Sequence, residues 1–334
     1  MRSFRSLSVP VFLSLAVGLA MLLLPASGSA QTFQQETQTK NGRKSDSDAQ
    51  LSGRSKPAVH AGPDAGVDPA ARRSTKSSVS NHSDKTKQTS SDETSTYEIG
   101  RIIFPTYEFA MGKKRLFYGL YLPKGYDKTK TYPLVVALHG LNGSPGQILA
   151  YPRLTNYADR EGYILVAPMG YNSRGWYGSR GKGGGRASDP ANLGELSEQD
   201  VMEVLQLTRT NFQIDSNRIY LFGHSMGGGG SMHLAMTYPN LWAAMAVIAP
   251  AAYGNRDRLA TAKEIPAYVV QGDQDRLVSV RQTRLWVDKM KELGMKHEYI
   301  EVKNGGHVFL AWRHFDGIFA FFNAHPKTDR PGTP

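Results

Sequence analysis

The amino-acid sequence predicts an α/β fold, a mostly parallel, doubly wound sheet with helices on both faces, carried by residues 97–334. Short, continuous apolar runs alternate along this region with longer stretches whose apolar residues recur at helical spacing. Continuous runs are typical of strands buried on both faces, and alternating strands and helices form parallel sheets. Between residues 31 and 96 large apolar residues are sparse, which sets the start of the predicted domain.

The first half of the domain begins with two segments of β-forming residues, 99–109 and 116–122, which predict an opening hairpin. Residues 132–138 form an unbroken apolar run that ends at a His-Gly pair, as expected of a central strand. A helical pattern follows at 145–161, and residues 163–167 repeat the strand pattern. These segments predict the first part of the alternation.

The second half continues the alternation of helices and strands. The spacing of Val201, Val204 and Leu205 predicts a helix at 198–212. Further strands are predicted at 218–222, 242–248, 267–270 and 298–302, with one helix after residue 225 and an amphipathic helix at 280–293. Because active sites of parallel sheets lie beyond the carboxyl ends of the strands, the loops at those ends are where functional residues are expected.

Residues 1–30 have the layout of a secretory signal peptide. Arg2 and Arg5 are positively charged, residues 9–24 are almost entirely apolar, and the small residues at 28–30 suit a signal peptidase. An uncleaved membrane anchor is the alternative, but the apolar run is shorter than the roughly 20 residues of a spanning helix. The sequence therefore predicts cleavage, a secreted or periplasmic protein of a bacterial envelope, and no stable membrane insertion afterwards.

Residues 31–96 are rich in Ser, Thr, Gly and charged residues, and this composition predicts a disordered linker.

The chain has no cysteine, which excludes disulfides, a thiolate nucleophile and cysteine metal sites. Its formal net charge is +11, but the positive residues are scattered and not interleaved with aromatic residues, so no nucleic-acid partner is expected. The oligomeric state is left open.

The strongest motif is G-x-S-x-G, at Gly223-His224-Ser225-Met226-Gly227. It stands between a predicted strand and a predicted helix, where a sharp turn would lift the serine hydroxyl out of the sheet. The same turn would aim the backbone N–H of Met226 at the place where negative charge develops. A chance pentapeptide in a Gly-rich turn is the alternative, but the flanking strand and helix favour Ser225 as a nucleophile.

A serine nucleophile needs a histidine base and an acid that orients it. Around a nucleophile turn of this kind, the acid and the histidine follow later strands, in that order. His307 follows the last predicted strand in a loop of small residues, and it is the expected base. Asp275 and Asp273 both follow the strand at 267–270; Asp275 is favoured as the acid by the spacing G-x-x-D-x-x-V, with Asp273 as the alternative.

The loop after the strand at 132–138 is expected to complete an oxyanion hole. The backbone N–H of Leu141 is the candidate beside that of Met226, although a plain Gly-rich loop would carry the same residues. The segment 171–178 is expected to border the site, where Trp176 and Tyr177 could stack on an aromatic or sugar ring. The equally weighted alternative is that these aromatic residues pack the loop onto the domain.

Three arginines in or near that segment, Arg174, Arg180 and Arg186, are candidates to meet an anionic group of a substrate. No metal site and no organic cofactor are expected, because a serine, a histidine and an aspartate suffice for acyl transfer.

Together these motifs resemble the α/β-hydrolase superfamily. The matching segments are His139-Gly140, Gly223-His224-Ser225-Met226-Gly227-Gly228, Gly272-Asp273-Gln274-Asp275 and Gly306-His307. Residues 214–220, which lead into the nucleophile turn, are similar to those of secreted feruloyl esterases and polyhydroxybutyrate-depolymerase-like esterases, and of the carboxyl-terminal domains of prolyl-oligopeptidase-like proteins. The resemblance covers about residues 115–324.

This resemblance implies a secreted serine esterase that hydrolyses carboxylic esters through an acyl-enzyme. The implied partner is a small or polymer-linked ester, such as a feruloyl or acetyl ester of a polysaccharide or a short polyester. A serine peptidase of the prolyl-oligopeptidase type is one alternative, although residues 31–96 cannot form its propeller. A noncatalytic surface-binding module is another, and an intact set of Ser225, His307 and an aspartate disfavours it.

Overall fold

A computed structural model describes residues 97–183 and 185–327, and the predicted signal peptide and linker lie outside these ranges. The strands are β1 (Ile102–Ile103), β2 (Thr106–Phe109), β3 (Lys114–Phe117), β4 (Gly119–Tyr121), β5 (Tyr132–Leu138), β6 (Ile164–Ala167), β7 (Ile214–His224), β8 (Met245–Ile248), β9 (Ala267–Gly272) and β10 (His297–Val302). The helices are α1 (Pro145–Leu149), α2 (Leu154–Glu161), α3 (Leu193–Asn211), α4 (Met226–Thr237), α5 (Val280–Glu292) and α6 (Phe315–Ala324). Single-turn segments lie at Trp176–Gly178, Arg256–Ala262 and Ala311–Arg313.

Eight of these strands form one sheet in the order β1-β4-β6-β5-β7-β8-β9-β10. All neighbours from β6 to β10 are parallel, whereas β1 and β4 pair antiparallel at one edge. Strands β2 and β3 form a separate antiparallel hairpin, in which Thr106 is opposite Phe117. The predicted mostly parallel α/β fold and its opening hairpin are therefore confirmed.

The sheet buries apolar side chains on both faces. Leu134 and Val136 of β5 belong to one core cluster, which contains residues of α3, α4 and α5. Val135 and Ala137 point the other way, into a second cluster built with α1, α2 and α6. Because alternate residues of a strand face opposite sides, a continuous apolar run is what such a strand requires. This double layer confirms the prediction of helices on both faces.

The predicted helix at 145–161 is wrong as one element, since it is divided into α1 and α2. Pro152 lies at the break, where its missing N–H cannot continue a helical ladder. Arg153, the next residue, has φ of 75° and redirects the chain into α2. Within the described part of the chain, no helix is long and apolar enough to cross a membrane.

Candidate active site

Ser225 lies in the sharp turn between β7 and α4, with φ of 58° and ψ of −117°. Its backbone N–H donates to the Ile248 carbonyl at 2.9 Å, which ties the turn to the neighbouring strand β8. The glycines on either side are needed for steric reasons. A Cβ atom at Gly227 would overlap the Leu138 carbonyl, and one at Gly223 would overlap the Gly227 carbonyl. The turn thus has the strained, closely packed geometry expected of a nucleophile elbow.

His307 and Asp275 come from the loops after β10 and β9 and form a hydrogen bond of 2.7 Å between Nδ1 and Oδ2. The other oxygen of Asp275 accepts from the backbone N–H groups of Leu277 at 2.8 Å and Val278 at 2.9 Å. Burial alone would raise the pKa of Asp275, but the hydrogen bonds from His307 and these N–H groups hold it below its usual value. Asp275 is therefore a buried carboxylate that stays ionised beside His307.

Asp273, the alternative acid, has different surroundings. Its N–H donates to the Val302 carbonyl at 3.1 Å, and its Oδ1 atom is buried without a hydrogen-bond partner among the described residues. It makes no hydrogen bond with His307 in that part of the chain. The structure thus brings Asp275 to the histidine and leaves Asp273 aside.

Ser225 and His307 line one cavity of about 540 Å³ at the carboxyl ends of the strands. Leu277, Val278 and Val308 form an apolar wall that belongs to the same loops as Asp275 and His307. A second part of the wall is aromatic and contains Trp176 and Tyr253, from the loops after β6 and β8. The cavity therefore brings the predicted nucleophile and base together and gives them two chemically different walls.

Two backbone N–H groups beside Ser225 are available to a bound group. Met226 is the first residue of α4, so its N–H has no acceptor within the helix. The Leu141 N–H makes no hydrogen bond among the described residues, and Leu141 lines the cavity. The preceding Gly140 is so close that a Cβ atom there would lie 3.6 Å from the Ser225 Cβ. This arrangement has the form of an oxyanion hole.

The two aromatic residues predicted to contact substrate have different positions. Trp176 lines the cavity, whereas Tyr177 is 0% exposed and belongs to the core cluster beneath it. The Tyr177 hydroxyl donates to the His139 carbonyl at 3.3 Å, and its ring packs against Gly230 of α4. The prediction of substrate contact is thus corrected for Tyr177: the ring packs the loop onto the domain, which was the alternative interpretation.

The β6–α3 loop (residues 168–192), which carries Trp176, contains an internal ion pair and is tied to α3 by a buried acidic group. Arg174 Nε donates to Asp189 Oδ2 at 2.9 Å, and the Tyr171 N–H donates to Asp200 Oδ2 at 2.7 Å. Asp200 of α3 also accepts a hydrogen bond from the Tyr107 hydroxyl of the β2–β3 hairpin. Burial raises the pKa of Asp200 to about 6, despite these hydrogen bonds. The cavity wall is therefore supported from α3 and from the hairpin.

The side chain of His224, the residue before Ser225, contacts the backbone of the predicted base His307. Its Nε2 lies 2.9 Å from the His307 carbonyl, and its Nδ1 lies 2.6 Å from the Tyr151 hydroxyl. Burial and the neighbouring His307 lower the pKa of His224 to about 4, so the ring is neutral near pH 7. The Nε2–H group then donates to the carbonyl, and Nδ1 accepts from Tyr151. Sequence reasoning missed this role, because His224 and His307 are distant in the chain.

Within the described ranges, no group of three His, Asp or Glu side chains could hold a metal ion. The absence of a metal and of an organic cofactor remains a prediction from the sequence.

The model of the Esterase family, described as "Putative esterase", matches residues 110–322. This range contains the nucleophile turn, both aspartates, His307 and the β6–α3 loop. The match therefore spans the whole cavity and most of the described sheet.

Curated relatives and solved structures agree with that match. A feruloyl esterase B from Neurospora crassa is 31% identical over 131 residues, 38% of this chain and 42% of that protein. An S-formylglutathione hydrolase from Rattus norvegicus is 30% identical over 149 residues, 41% of this chain and 52% of that protein. The chain thus spans about half the length of these relatives.

A ferulic acid esterase from Anaeromyces mucronatus, solved in complex with ferulic acid, has a TM-score of 0.55 and 19% identity. The superposition covers 67% of this chain and 90% of that one. At this identity the likeness shows the fold, which is that of the α/β hydrolases.

Proposed function

This chain belongs to the Esterase family, and we propose that it is a serine hydrolase of carboxylic esters in which Ser225, His307 and Asp275 act together. The 2.7 Å hydrogen bond between His307 and the buried Asp275 carries the proposal, since it leaves Nε2 without a hydrogen-bond partner among the described residues, in the cavity that Ser225 lines. A base oriented by an acid and placed near a serine is the arrangement that acyl transfer requires.

In the proposed reaction, His307 Nε2 removes the proton from Ser225 Oγ as the oxygen attacks the ester carbonyl. Asp275 keeps the proton on Nδ1 and stabilises the imidazolium that forms. The negative charge on the former carbonyl oxygen is received by the N–H groups of Leu141 and Met226. His307 then gives its proton to the leaving alcohol, and water activated by the same ring releases the acid from Ser225.

The proposed substrates are esters with a short or aromatic acyl group, including feruloyl and acetyl esters of polysaccharides and short polyesters. Trp176 and Tyr253 offer aromatic surface for such a group, and their ring centroids are 6.5 Å apart. The names of the feruloyl esterase relatives support this choice of class. Secretion belongs to the same proposal, because polymer esters lie outside the cell.

A panel of p-nitrophenyl and feruloyl esters tests the proposal on the full chain and on Ser225→Ala. Loss of the nucleophile should lower kcat on the order of 10⁶-fold. Ser231→Ala is a matched control, because Ser231 lies in α4 and its hydroxyl has no hydrogen-bond partner in the described structure. Near-wild-type activity of Ser225→Ala would contradict the mechanism, as would turnover of peptide amides but not esters. Faster turnover of long acyl chains would contradict the substrate class alone.

A further inference from the structure

Arg180 is placed beside the proposed reaction site. It lines the same cavity as Ser225 and His307, and among the described residues of that lining it is the one Arg, Lys, Asp or Glu. A permanent positive charge with no acidic group in the surrounding wall creates a local attraction for anions. The charge of Arg180 therefore affects which esters enter the cavity.

Aromatic rings hold the Arg180 guanidinium in place. Its central carbon lies 3.5 Å from the centre of the Trp176 ring and 5.5 Å from the centre of the Tyr253 ring. Within the described ranges the guanidinium forms no ion pair and no hydrogen bond. Arg174, in the same loop, differs in this respect, because its guanidinium is bound to Asp189 through both Nε and Nη2.

Stacking leaves the hydrogen-bonding edge of a guanidinium free. The planar group contacts aromatic rings through its faces, while its N–H donors lie in the plane and match the two oxygens of a carboxylate. Because the stack limits the motion of Arg180, less conformational entropy is lost when an anion binds. Arg180 is thus organised to accept a carboxylate and has none within the described structure.

The walls of the cavity indicate which part of an ester would reach Arg180. The leaving alcohol must lie near His307, which protonates it, and the apolar wall of Leu277 and Val308 belongs to the loops on that side. Arg180 lies with Trp176 and Tyr253 in the aromatic wall, which contains neither His307 nor its neighbours. An alcohol that leaves on the His307 side leaves the wall of Trp176, Arg180 and Tyr253 for the acyl group.

We propose that the preferred substrates are esters whose acyl group carries a carboxylate, and that Arg180 binds this carboxylate. The proposal rests on the proposed ester hydrolysis and narrows its substrate class to half-esters of dicarboxylic acids and related anionic acyl groups.

Two substrates of equal chain length test the charge. We expect a higher kcat/KM for mono-p-nitrophenyl adipate, whose acyl chain ends in a carboxylate, than for its methyl ester, in which that charge is masked. In Arg180→Gln the ratio of the two kcat/KM values should fall about tenfold to a hundredfold, as for loss of a charge-assisted hydrogen bond. Arg180→Lys should keep part of the ratio, and high salt should reduce it in the wild type.

Arg186→Gln is the matched control. It removes the same charge from an exposed position of the same loop that is outside the cavity lining, so the ratio should stay at the wild-type value. A wild-type ratio near one, or an unchanged ratio in Arg180→Gln, would overturn the proposal. An equal fall in Arg186→Gln would also overturn it, because the preference would then come from net charge.

A binding measurement separates this proposal from the proposed hydrolysis. Calorimetric titration of monomethyl adipate into Ser225→Ala and into Ser225→Ala/Arg180→Gln needs no turnover. Weaker binding to the double variant supports the Arg180 site even if no ester is hydrolysed, and equal binding overturns it. If the wild type hydrolysed no ester while Ser225→Ala bound monomethyl adipate through Arg180, the result would count against the mechanism alone.

Discussion

At the scale of single residues, Asp275 and Asp273 are two positions apart yet have different surroundings. Asp275 accepts hydrogen bonds from His307, Leu277 and Val278, whereas the buried Oδ1 of Asp273 has no partner in the described ranges. The spacing in the sequence favoured Asp275, but only the folded turn shows which carboxylate contacts the histidine. Two residues of one type so close together cannot be distinguished by composition or by periodicity.

The two aspartates give a direct test of these roles. Asp275→Asn should lower kcat on the order of 10⁴-fold, because the amide no longer holds the His307 tautomer or stabilises its cation. Asp273→Asn should keep most of the activity. Steady-state kinetics on one p-nitrophenyl ester measure both, and thermal unfolding shows that both variants fold. The reverse result would make Asp273 the acid.

His224 is expected to act as a positioning residue, through the carbonyl of His307. His224→Leu removes the 2.9 Å hydrogen bond, so the base loses part of its alignment. We expect kcat to fall about tenfold with little change in KM. His224→Gln can still donate to the carbonyl and should restore part of kcat. A change in KM with kcat unaltered, or no recovery of kcat in His224→Gln, would contradict a positioning role.

At the scale of elements, the nucleophile turn depends on two glycines that let β5, β7 and α4 approach each other. A Cβ atom at Gly227 would meet backbone atoms of Leu138, which cannot move aside as a flexible side chain can. Gly227→Ala should therefore lower the free energy of unfolding by about 3 kcal/mol. Gly254→Ala, where nothing lies within 4 Å of a new Cβ, should change it by less than about 0.5 kcal/mol. Urea denaturation measures both, and equal values would contradict this account.

Patterns in the sequence predicted the elements better than their ends or their side-chain directions. The apolar run of β5 is long, and its burial on both faces leaves little choice of structure. By contrast, Trp176 and Tyr177 are neighbours, and both have positive φ in a tight turn that sends one ring into the cavity and the other into the core. No periodicity encodes such a turn. Tertiary packing decides it, which is why the two residues could not be separated beforehand.

At the scale of the whole molecule, two buried groups give the stability opposite dependences on pH. The pKa of His224 is lowered to about 4, so the unfolded chain takes up a proton before the folded protein does as pH falls. The contribution of His224 to the free energy of unfolding is therefore lost between about pH 6.5 and about pH 4. The pKa of Asp200 is raised to about 6, so its contribution is present below about 4 and is lost as pH rises toward 6. Each displacement corresponds to on the order of 3 kcal/mol, so the two pH dependences oppose each other between pH 4 and 6.

Single variants should separate the two pH dependences of the free energy of unfolding. In His224→Gln the remaining Asp200 contribution should make the free energy of unfolding decrease from pH 4 to pH 6, relative to the wild type. In Asp200→Asn the remaining His224 contribution should make it increase over the same range. Chemical denaturation at half-unit pH steps measures both slopes. Parallel curves for all three proteins would show that neither group titrates in this way.

The sequence could predict that the loops of the three proposed reacting residues meet, because strand order fixes which loops lie at the same edge of the sheet. Ser225, Asp275 and His307 follow β7, β9 and β10, so their loops all emerge at one edge of the sheet. Trp176, Arg180 and Tyr253 belong to loops whose paths the strand pattern does not determine. The predicted signal peptide and linker lie outside the described residues and stay predictions.

The β6–α3 loop supplies the Trp176 and Arg180 wall but none of the three proposed reacting residues. The Arg174–Asp189 pair joins two points of the loop, and the Tyr171 N–H ties the loop to Asp200 of α3. The proposed Arg180 site and the proposed reacting residues thus lie on separate stretches of polypeptide. Replacing the segment between Arg174 and Asp189 would change the wall that contacts the substrate and leave Ser225, Asp275 and His307 unaltered. One fold can in this way acquire different substrate preferences while its reacting residues keep their positions.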